Sequence, residues 1–509
     1  MKIQKHQFIG TNMLASHITL DRVGGKGLVP QLFEQLRGLI ETGVLGAGSR
    51  LPTSRHLSAQ LGVGRNSVVA AYDLLLAEGY LRSEGRRGTF VSEASRGFVP
   101  VEPPAREEPP QARPLRLSRS AQALIAVGRR DQPTPHTFQP GLPDVRHFPH
   151  DLWGRCLRRA ARGMHQQPLL GGYAHYYGLP DLREALIDHV AVSRGVSASA
   201  EQVIVFSSAQ AALDLVARLL LDPGDVALHE EPGYAGMLSV LRGVHADVRP
   251  IEVYAADRFQ RLDDLVADGA VPRLIYVSPS HQFPSGQVMT LKDRLALLAF
   301  AAKHGAFVLE DDYDSEFHFS NAPLSCLQGL GRGERVLYMG TFAKSLMPSL
   351  RLAYLVVPPP LVEPVRRMQR NMGGVPGLTV QMALAEFLTS GHFRSHVRDM
   401  NKLYQARRDC LAEALAARCG DILMPEVPDG GIQMPAYLTP RLLEAGVRDE
   451  ALAAALAAIG IECTPLSALY WSGRCEVRQG LFFGYAASNE AEIVNAVEAV
   501  AHCLKRFVP

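Results

Sequence analysis

Hydrophobic positions divide the chain into two stretches with different rhythms. Over residues 28–45, "LVPQLFEQLRGLIETGVL", apolar residues recur at helical spacing and predict an amphipathic helix. Thr53-Ser54 suit the cap of a second, short helix ending near Leu61; Gly62-Val63-Gly64 predicts a tight turn, and Arg65–Glu78 a third helix. "YLRSEGRRGTFV" then reads as a β-hairpin with Gly85 and Gly88 at its turn. Farther on the rhythm changes. Short β-rich runs (Val203–Phe206, Val226–Leu228, Leu274–Val277, Phe307–Leu309, Val336–Met339) alternate with helical stretches such as "AALDLVARLLL" and "LKDRLALLAFAAKHG". Strands alternating with helices of about 10–15 residues predict a mostly parallel sheet covered on both faces. Ligands of such sheets sit beyond the carboxyl ends of the strands, so the residues just after each run are the candidates for chemistry.

Between the two rhythms periodicity stops. "VPVEPPAREEPPQARPLR" (99–116) is rich in proline and charge, which predicts an extended, stiff linker over residues 93–135. It separates a head, residues 1–92, from a body, residues 136–509. A chain of 509 residues with 47% hydrophobic content is expected to form more than one core. Net charge is +2, unevenly spread: residues 1–100 hold 12 Lys+Arg against 7 Asp+Glu, and residues 101–509 hold 41 against 44. A basic head on a slightly acidic body is the asymmetry expected of a nucleic-acid reader joined to something else. The chain has no apolar run of about 18 residues and no signal-peptide pattern in "MKIQKHQFIGTNM", so a cytoplasmic protein without a membrane segment is expected. Seven scattered cysteines with no Cys-x-x-Cys pair suggest neither a disulfide framework nor a metal site.

Helix, turn, helix and basic hairpin make a winged helix-turn-helix. Reading DNA needs cations and short polar side chains at the N-terminal end of the second helix of the pair, where base edges and phosphates are met. Arg65, Asn66 and Ser67 occupy that end, Arg50, Thr53 and Arg55 lie on the approach, and Arg86 and Arg87 tip the wing.

In the body the strand ends collect a different set. Pyridoxal phosphate needs a lysine to condense with its aldehyde, a carboxylate for its pyridine nitrogen, a donor to its phenolate oxygen, an aromatic face and donors around its phosphate. "FVLEDDYDSEFHF" places Asp311, Asp312 and Tyr313 at one strand end, and "EEPGYAG" offers Tyr234 after another. "VIVFSSAQAALDL" runs from a strand through Ser207, Ser208, Ala209 and Gln210 into a helix, an anion seat made of backbone N–H groups and the helix dipole. "GTFAKSLMPSLR" supplies Thr341, Lys344 and Arg351. Singly, each has a plainer explanation as a solvated loop, a turn or a cap; jointly, in this order, they describe a cofactor site.

These motifs carry a resemblance. "LPTSRHLSAQLGVGRNSV" and "LLLAEGYLRSEGRRGTFV" resemble the GntR-type regulators, and residues from about 136 to 509 look like a fold-type I aminotransferase with a large, mostly parallel domain and a smaller α/β C-terminal subdomain. "SPSHQFPSG", "EDDYDSEF" and "MGTFAKSLMPSLR" resemble the MocR/GabR subfamily of GntR-type transcription regulators, in which the two are fused. The resemblance implies that Lys344 forms the Schiff base with pyridoxal 5'-phosphate, Asp311 pairs with the pyridine nitrogen, Tyr313 donates to the phenolate oxygen and Tyr234 stacks on the ring. It implies further that Ser208, Ala209, Gln210 and Thr341 hold the phosphate, with Arg351 nearby. Tyr173, in "GGYAHYYGLPDLREAL", matches a tyrosine that reaches the neighbouring subunit's cofactor, which implies a homodimer. His281 and Gln282 stand where an aminotransferase has an asparagine; one of them approaches the ring oxygen, or both serve only the loop. In "LFFGYAAS" the position matched to an effector-binding arginine is Ala487, which removes a charge-assisted hydrogen bond of about 1.5–3 kcal/mol and argues against a GABA-type effector. The expected function is a DNA-binding transcription regulator sensing pyridoxal phosphate, or an amine or amino acid condensed with it; the alternative is a working aminotransferase with an accessory DNA-binding head.

Overall fold

The computed structural model describes residues 14–22, 25–94, 116–126, 137–166, 175–319 and 325–508. The chain divides into two compact units, Met1–Arg116 and Leu117–Pro509.

In the first unit α1 (Leu28–Glu41), α2 (Ser54–Leu61) and α3 (Arg65–Ala77) enclose a core that includes Leu32, Leu36, Leu57, Val68 and Leu75. Thr53 caps α2 by accepting from His56 N, and Gly62 ends it with a left-handed φ of 63°, a conformation that glycine adopts at least cost. Arg22, to which the sequence reading gave no role, donates to the carbonyls of Leu61 and Gly62 at 3.0 and 3.1 Å and so satisfies the same helix end. The wing is a two-stranded antiparallel ribbon of β1 (Leu81–Ser83) and β2 (Thr89–Val91), with Gly85 and Gly88 at positive φ in its turn.

The second unit is built on a seven-stranded sheet ordered β3-β9-β8-β7-β6-β4-β5: β3 (Val203–Phe206), β4 (Val226–Glu231), β5 (Asp247–Glu252), β6 (Pro272–Val277), β7 (Phe307–Asp312), β8 (Val336–Thr341) and β9 (Ala353–Val356). β9 runs antiparallel to both its neighbours, β3 and β8, and the pairings from β8 to β5 are all parallel. Strands β3, β4 and β8 are buried along their whole length, as strands covered on both faces must be. A smaller antiparallel sheet of β10 (Leu423–Pro425), β11 (Gln433–Leu438), β12 (Thr464–Pro465) and β13 (Gly480–Gly484) packs with the helices His392–Cys419 and Glu490–Leu504 around its own core.

Two expectations need amending. The stretch 93–135 is not wholly an extended linker: Arg119–Ala126, α4, is helical and packs against α8 (Ala235–Gly243), with Leu124 beside Gly243 and Ser120 Oγ 3.3 Å from His245 Nε2. The quoted proline-rich run, apart from Arg116, lies outside the described residues. Strand β5 gave no clear signal because it is an edge strand, "DVRPIE", whose polar residues and proline blunt an exposed rim rather than fill a core.

Candidate cofactor cleft and nucleic-acid interface

Eight predicted residues, Ser208, Ala209, Gln210, Tyr234, Asp311, Tyr313, Thr341 and Lys344, lie at or just beyond the carboxyl ends of β3, β4, β7 and β8 of the large sheet. Beyond β3, Ser208 caps α7 (Ala209–Leu220), accepting from Ala211 N at 3.1 Å, which leaves the first N–H groups of the helix, those of Ala209 and Gln210, without intrahelical acceptors. The Gln210 side chain is occupied otherwise: its Nε2 donates to Gly236 O at 2.9 Å and ties α7 to α8. Thr341, the last residue of β8, accepts from Ala343 N at 3.2 Å and bends the chain toward Lys344. Lys344 Nζ donates to the carbonyl of Gly141 at 2.7 Å. Gly141 has φ 80°, and a Cβ there would stand 2.7 Å from the amine, so only glycine leaves the lysine its position. The sequence reading missed Gly141; its signal was a glycine between prolines, "QPGLPD", ahead of any regular element.

Two adjacent acids end β7 in opposite states. Asp311 is buried, and burial pushes its carboxyl up to about 7; Asp312 and Asp314 push the same way, while the hydroxyl donated by Tyr276 and the nearby charge of Lys344 oppose them. Burial would raise Asp312 too, but Arg194 at 2.8 Å and the Tyr338 hydroxyl at 2.6 Å hold it below the ordinary carboxylate value. One carboxyl therefore has a committed cation, and the other has a phenol, the nearby charge of Lys344 and no ion pair among the described residues. Tyr313, next in sequence, is buried enough that its phenol is pushed well up, with Asp314 acting in the same direction and Gln433 against it.

Aromatic rings close one side. Tyr234, the N-cap residue of α8, meets Phe283 edge-on with centroids 5.9 Å apart; Phe283 in turn meets Tyr313 at 6.5 Å and Phe482 at 5.3 Å. Tyr234 lies over Gly236, where a Cβ would come within 2.6 Å of the ring and its hydroxyl. Phe482 was missed in the sequence because it sits in an apolar strand that reads as core. It bears on the question of the absent arginine: Ala487 follows β13 and offers its carbonyl to Arg146 at 2.7 Å, whereas Phe482 is the residue of that segment that joins the aromatic cluster.

His281 and Gln282 are engaged within the protein. His281 Nδ1 lies 2.8 Å from Asp314 Oδ1 with both side chains buried, and the Gln282 amide spans Pro232 O and the Ser285 backbone and hydroxyl. Arg351 has a left-handed backbone, φ 51°, is exposed, and makes no side-chain hydrogen bond or ion pair among the described residues. Tyr173 lies outside the described residues.

An amine, a buried carboxyl with no ion pair among the described residues, a half-buried phenol, an aromatic face and the N-terminus of a helix converge here. Pyridoxal phosphate fits this donor set: the protonated pyridine nitrogen would supply an ion-pair partner for Asp311, and the phosphate acceptors for the start of α7.

In the head Arg50, Thr53, Arg55, Arg65, Asn66, Arg86 and Arg87 are exposed and Ser67 is half-buried. Arg65 and Asn66 open α3, directly after the turn, and the Arg65 guanidinium reaches Ser54 Oγ at 3.5 Å. Arg87 faces Glu84 at 3.9 Å; Arg50, Arg55, Arg65 and Arg86 have no ion pair among the described residues.

Comparison with known proteins agrees with both halves. The family profile "Bacterial regulatory proteins, gntR family" matches residues 28–91, and "Aminotransferase class I and II" matches residues 149–500. The chain is 40% identical to the probable rhizopine catabolism regulatory protein MocR of Rhizobium meliloti over 92% of each chain. It is 34% identical to the HTH-type transcriptional regulator TauR of Rhodobacter capsulatus, covering 77% of this chain and 80% of that one. With the pyridoxine biosynthesis regulator PdxR of Corynebacterium glutamicum it shares 30% identity, covering 92% and 95%. Among solved structures, a kynurenine aminotransferase of Pyrococcus horikoshii superposes with a TM-score of 0.66 at 23% identity, over 79% of this chain and 97% of that one.

Proposed function

The chain belongs to the MocR/GabR subfamily of GntR-type transcription regulators, and from that premise we propose that its body captures pyridoxal 5'-phosphate at Lys344 and lets the captured state govern how the head engages promoter DNA. The observation that carries this reading is the convergence of Lys344, Asp311 and the start of α7 in a chain that also holds a helix-turn-helix with exposed cations. When bound, the cofactor supplies an aldehyde that takes up primary amines, so an amine or amino acid is the class of effector.

The residues divide the work. Asp311, as a carboxylate, holds the proton on the ring nitrogen; Tyr313 donates to the ring oxygen; Ser208, Ala209, Gln210 and Thr341 supply phosphate donors, Ala209 and Gln210 through their backbone N–H groups. Tyr234 covers the ring. Because Tyr234 is the N-cap residue of α8 and α4 packs against α8, the residue that feels ring occupancy and the first described α-helix after the head in the chain belong to one packed pair. A ligand shifts such a pair only by as much as it binds one arrangement better than the other.

The Lys344 amine and the aminotransferase-like body also support a residual amine-transfer half-reaction, subordinate to regulation. Tyr173 is the residue proposed to reach a second copy's cofactor in a homodimer. Footprinting of the DNA upstream of its own gene, with and without added pyridoxal phosphate, tests the regulatory reading. Protection that changes with the cofactor in the wild type and not in Lys344→Ala is expected; identical protection in all four conditions would contradict it.

A further inference from the structure

Helix α5 (His150–Gln166) carries a basic stripe that neither the cleft nor the head accounts for. Its buried side, Trp153, Cys156 and Ala160, packs into the core of the large domain, with Trp153 against Phe387 at 5.8 Å. The opposite side presents Arg155, Arg158, Arg159 and Arg162, all exposed, with Asp151 and His165 at its two ends. Only Arg159 has an ion pair among the described residues, with Glu386. Arg155, Arg158 and Arg162 have no carboxylate partner among them, although residues 101–509 hold more acids than bases, 44 against 41. Among the described residues, three adjacent guanidiniums of this face stand without a counter-charge.

At 1.5 Å per residue, Arg155 to Arg162 spans about 10 Å, along which one strand of DNA presents about three phosphates. Guanidinium forks on a rigid helix match phosphate oxygens and carry no sequence information. We propose that the exposed arginine face of α5 is a second DNA-contacting surface, on the body itself, that grips the phosphate backbone independently of sequence. This inference rests on the regulator reading, and it adds an electrostatic contribution to affinity that the head does not supply.

The test uses the full chain and a DNA duplex of arbitrary sequence about 60 base pairs long, with affinity measured by fluorescence anisotropy over a range of salt concentrations. Each lost phosphate contact lowers the slope of log affinity against log salt by about 0.9, so the triple variant R155S/R158S/R162S should flatten it by 2 to 3 and weaken binding about tenfold or more. The variant R155K/R158K/R162K, which keeps the charges, should hold most of the slope, and Arg158→Gln alone should lose about 1, so the proposal stays testable if the serine variant folds poorly. An unchanged slope in a folded serine variant would overturn the proposal. So would a drop in sedimentation mass with the slope retained, which would assign the face to a second copy of the chain. A wild-type protein that binds no duplex would bring down the regulator reading as well.

Discussion

The two polar surfaces of this molecule are organised in opposite ways. At the reading edge of the head, Arg50, Arg55, Arg65 and Arg86 stand in solvent without carboxylate partners among the described residues, outside the small core of that unit. Around the body's cleft, Asp311, Asp312, Asp314, His281 and Arg194 lie inside the protein with Tyr313 half-buried beside them, and each acts on another. The difference follows from what each surface is proposed to meet. A polyanion arrives carrying its own charge, so an exposed cation need not be built into the fold. A cofactor held in a dry cleft needs donors and acceptors fixed in advance, and fixing them takes a network whose members also hold the fold together.

If that contrast is right, single substitutions should separate stability from binding in one region and mix them in the other. The largest stability loss is expected for Arg194→Met, which leaves the Asp312 carboxylate buried without its cation at a cost of about 3–5 kcal/mol; chemical denaturation measures it. Adding Asp312→Asn to that variant should recover a good part of the loss, and no recovery would mean that Arg194 acts through packing. Arg65→Ala, in the head, should move stability by no more than about 0.5 kcal/mol while weakening specific DNA binding by about 1–3 kcal/mol, read by parallel thermal melts and DNA titrations.

The smallest effect is a pH dependence. Asp311 in the cofactor-free protein holds its proton up to about pH 7, well above the value near 4 of an unfolded carboxyl. An acid whose folded pKa is raised contributes stability that is complete below the unfolded value and is lost as pH rises through the folded one. Asp311 should therefore contribute a loss of stability from about pH 4 to 7 in the cofactor-free protein, while the histidines His189, His229, His318 and His396, whose values burial lowers, contribute a gain over the same range. Glu230 and Glu310, buried and pushed up to about 7, act in the same direction as Asp311, so Asp311→Asn should remove only its own share and make the change in stability with rising pH less unfavourable than in the wild type. Melting temperatures across that range would decide, and an unchanged slope would remove Asp311 from the set.

The contrast also governed what could be read from the sequence. The head was legible almost residue by residue, because cap, turn and wing are local devices: Thr53, Gly62 and Gly85 announce their conformations by residue type. In the body the strands that end at the cleft were legible from alternation with helices, and the structure brings the lysine, aspartate and tyrosine named from the sequence to their ends. What stayed hidden was the support. Tyr276 and Phe482 lie in apolar strands and read as core, while Arg194 sits at the end of a helix more than a hundred residues from the Asp312 it neutralises. Non-local partners leave no periodic trace in a single sequence. The helix Arg119–Ala126 was masked by the proline-rich run before it, which reads as a linker from composition alone.

The account depends most on which amine takes up the cofactor aldehyde, and reductive trapping measures that directly. Purified protein incubated with pyridoxal phosphate and borohydride should carry one phosphopyridoxyl group, and peptide mass spectrometry should find it on Lys344, with none retained in Lys344→Ala. Label on another lysine, or none on the wild type, would contradict it.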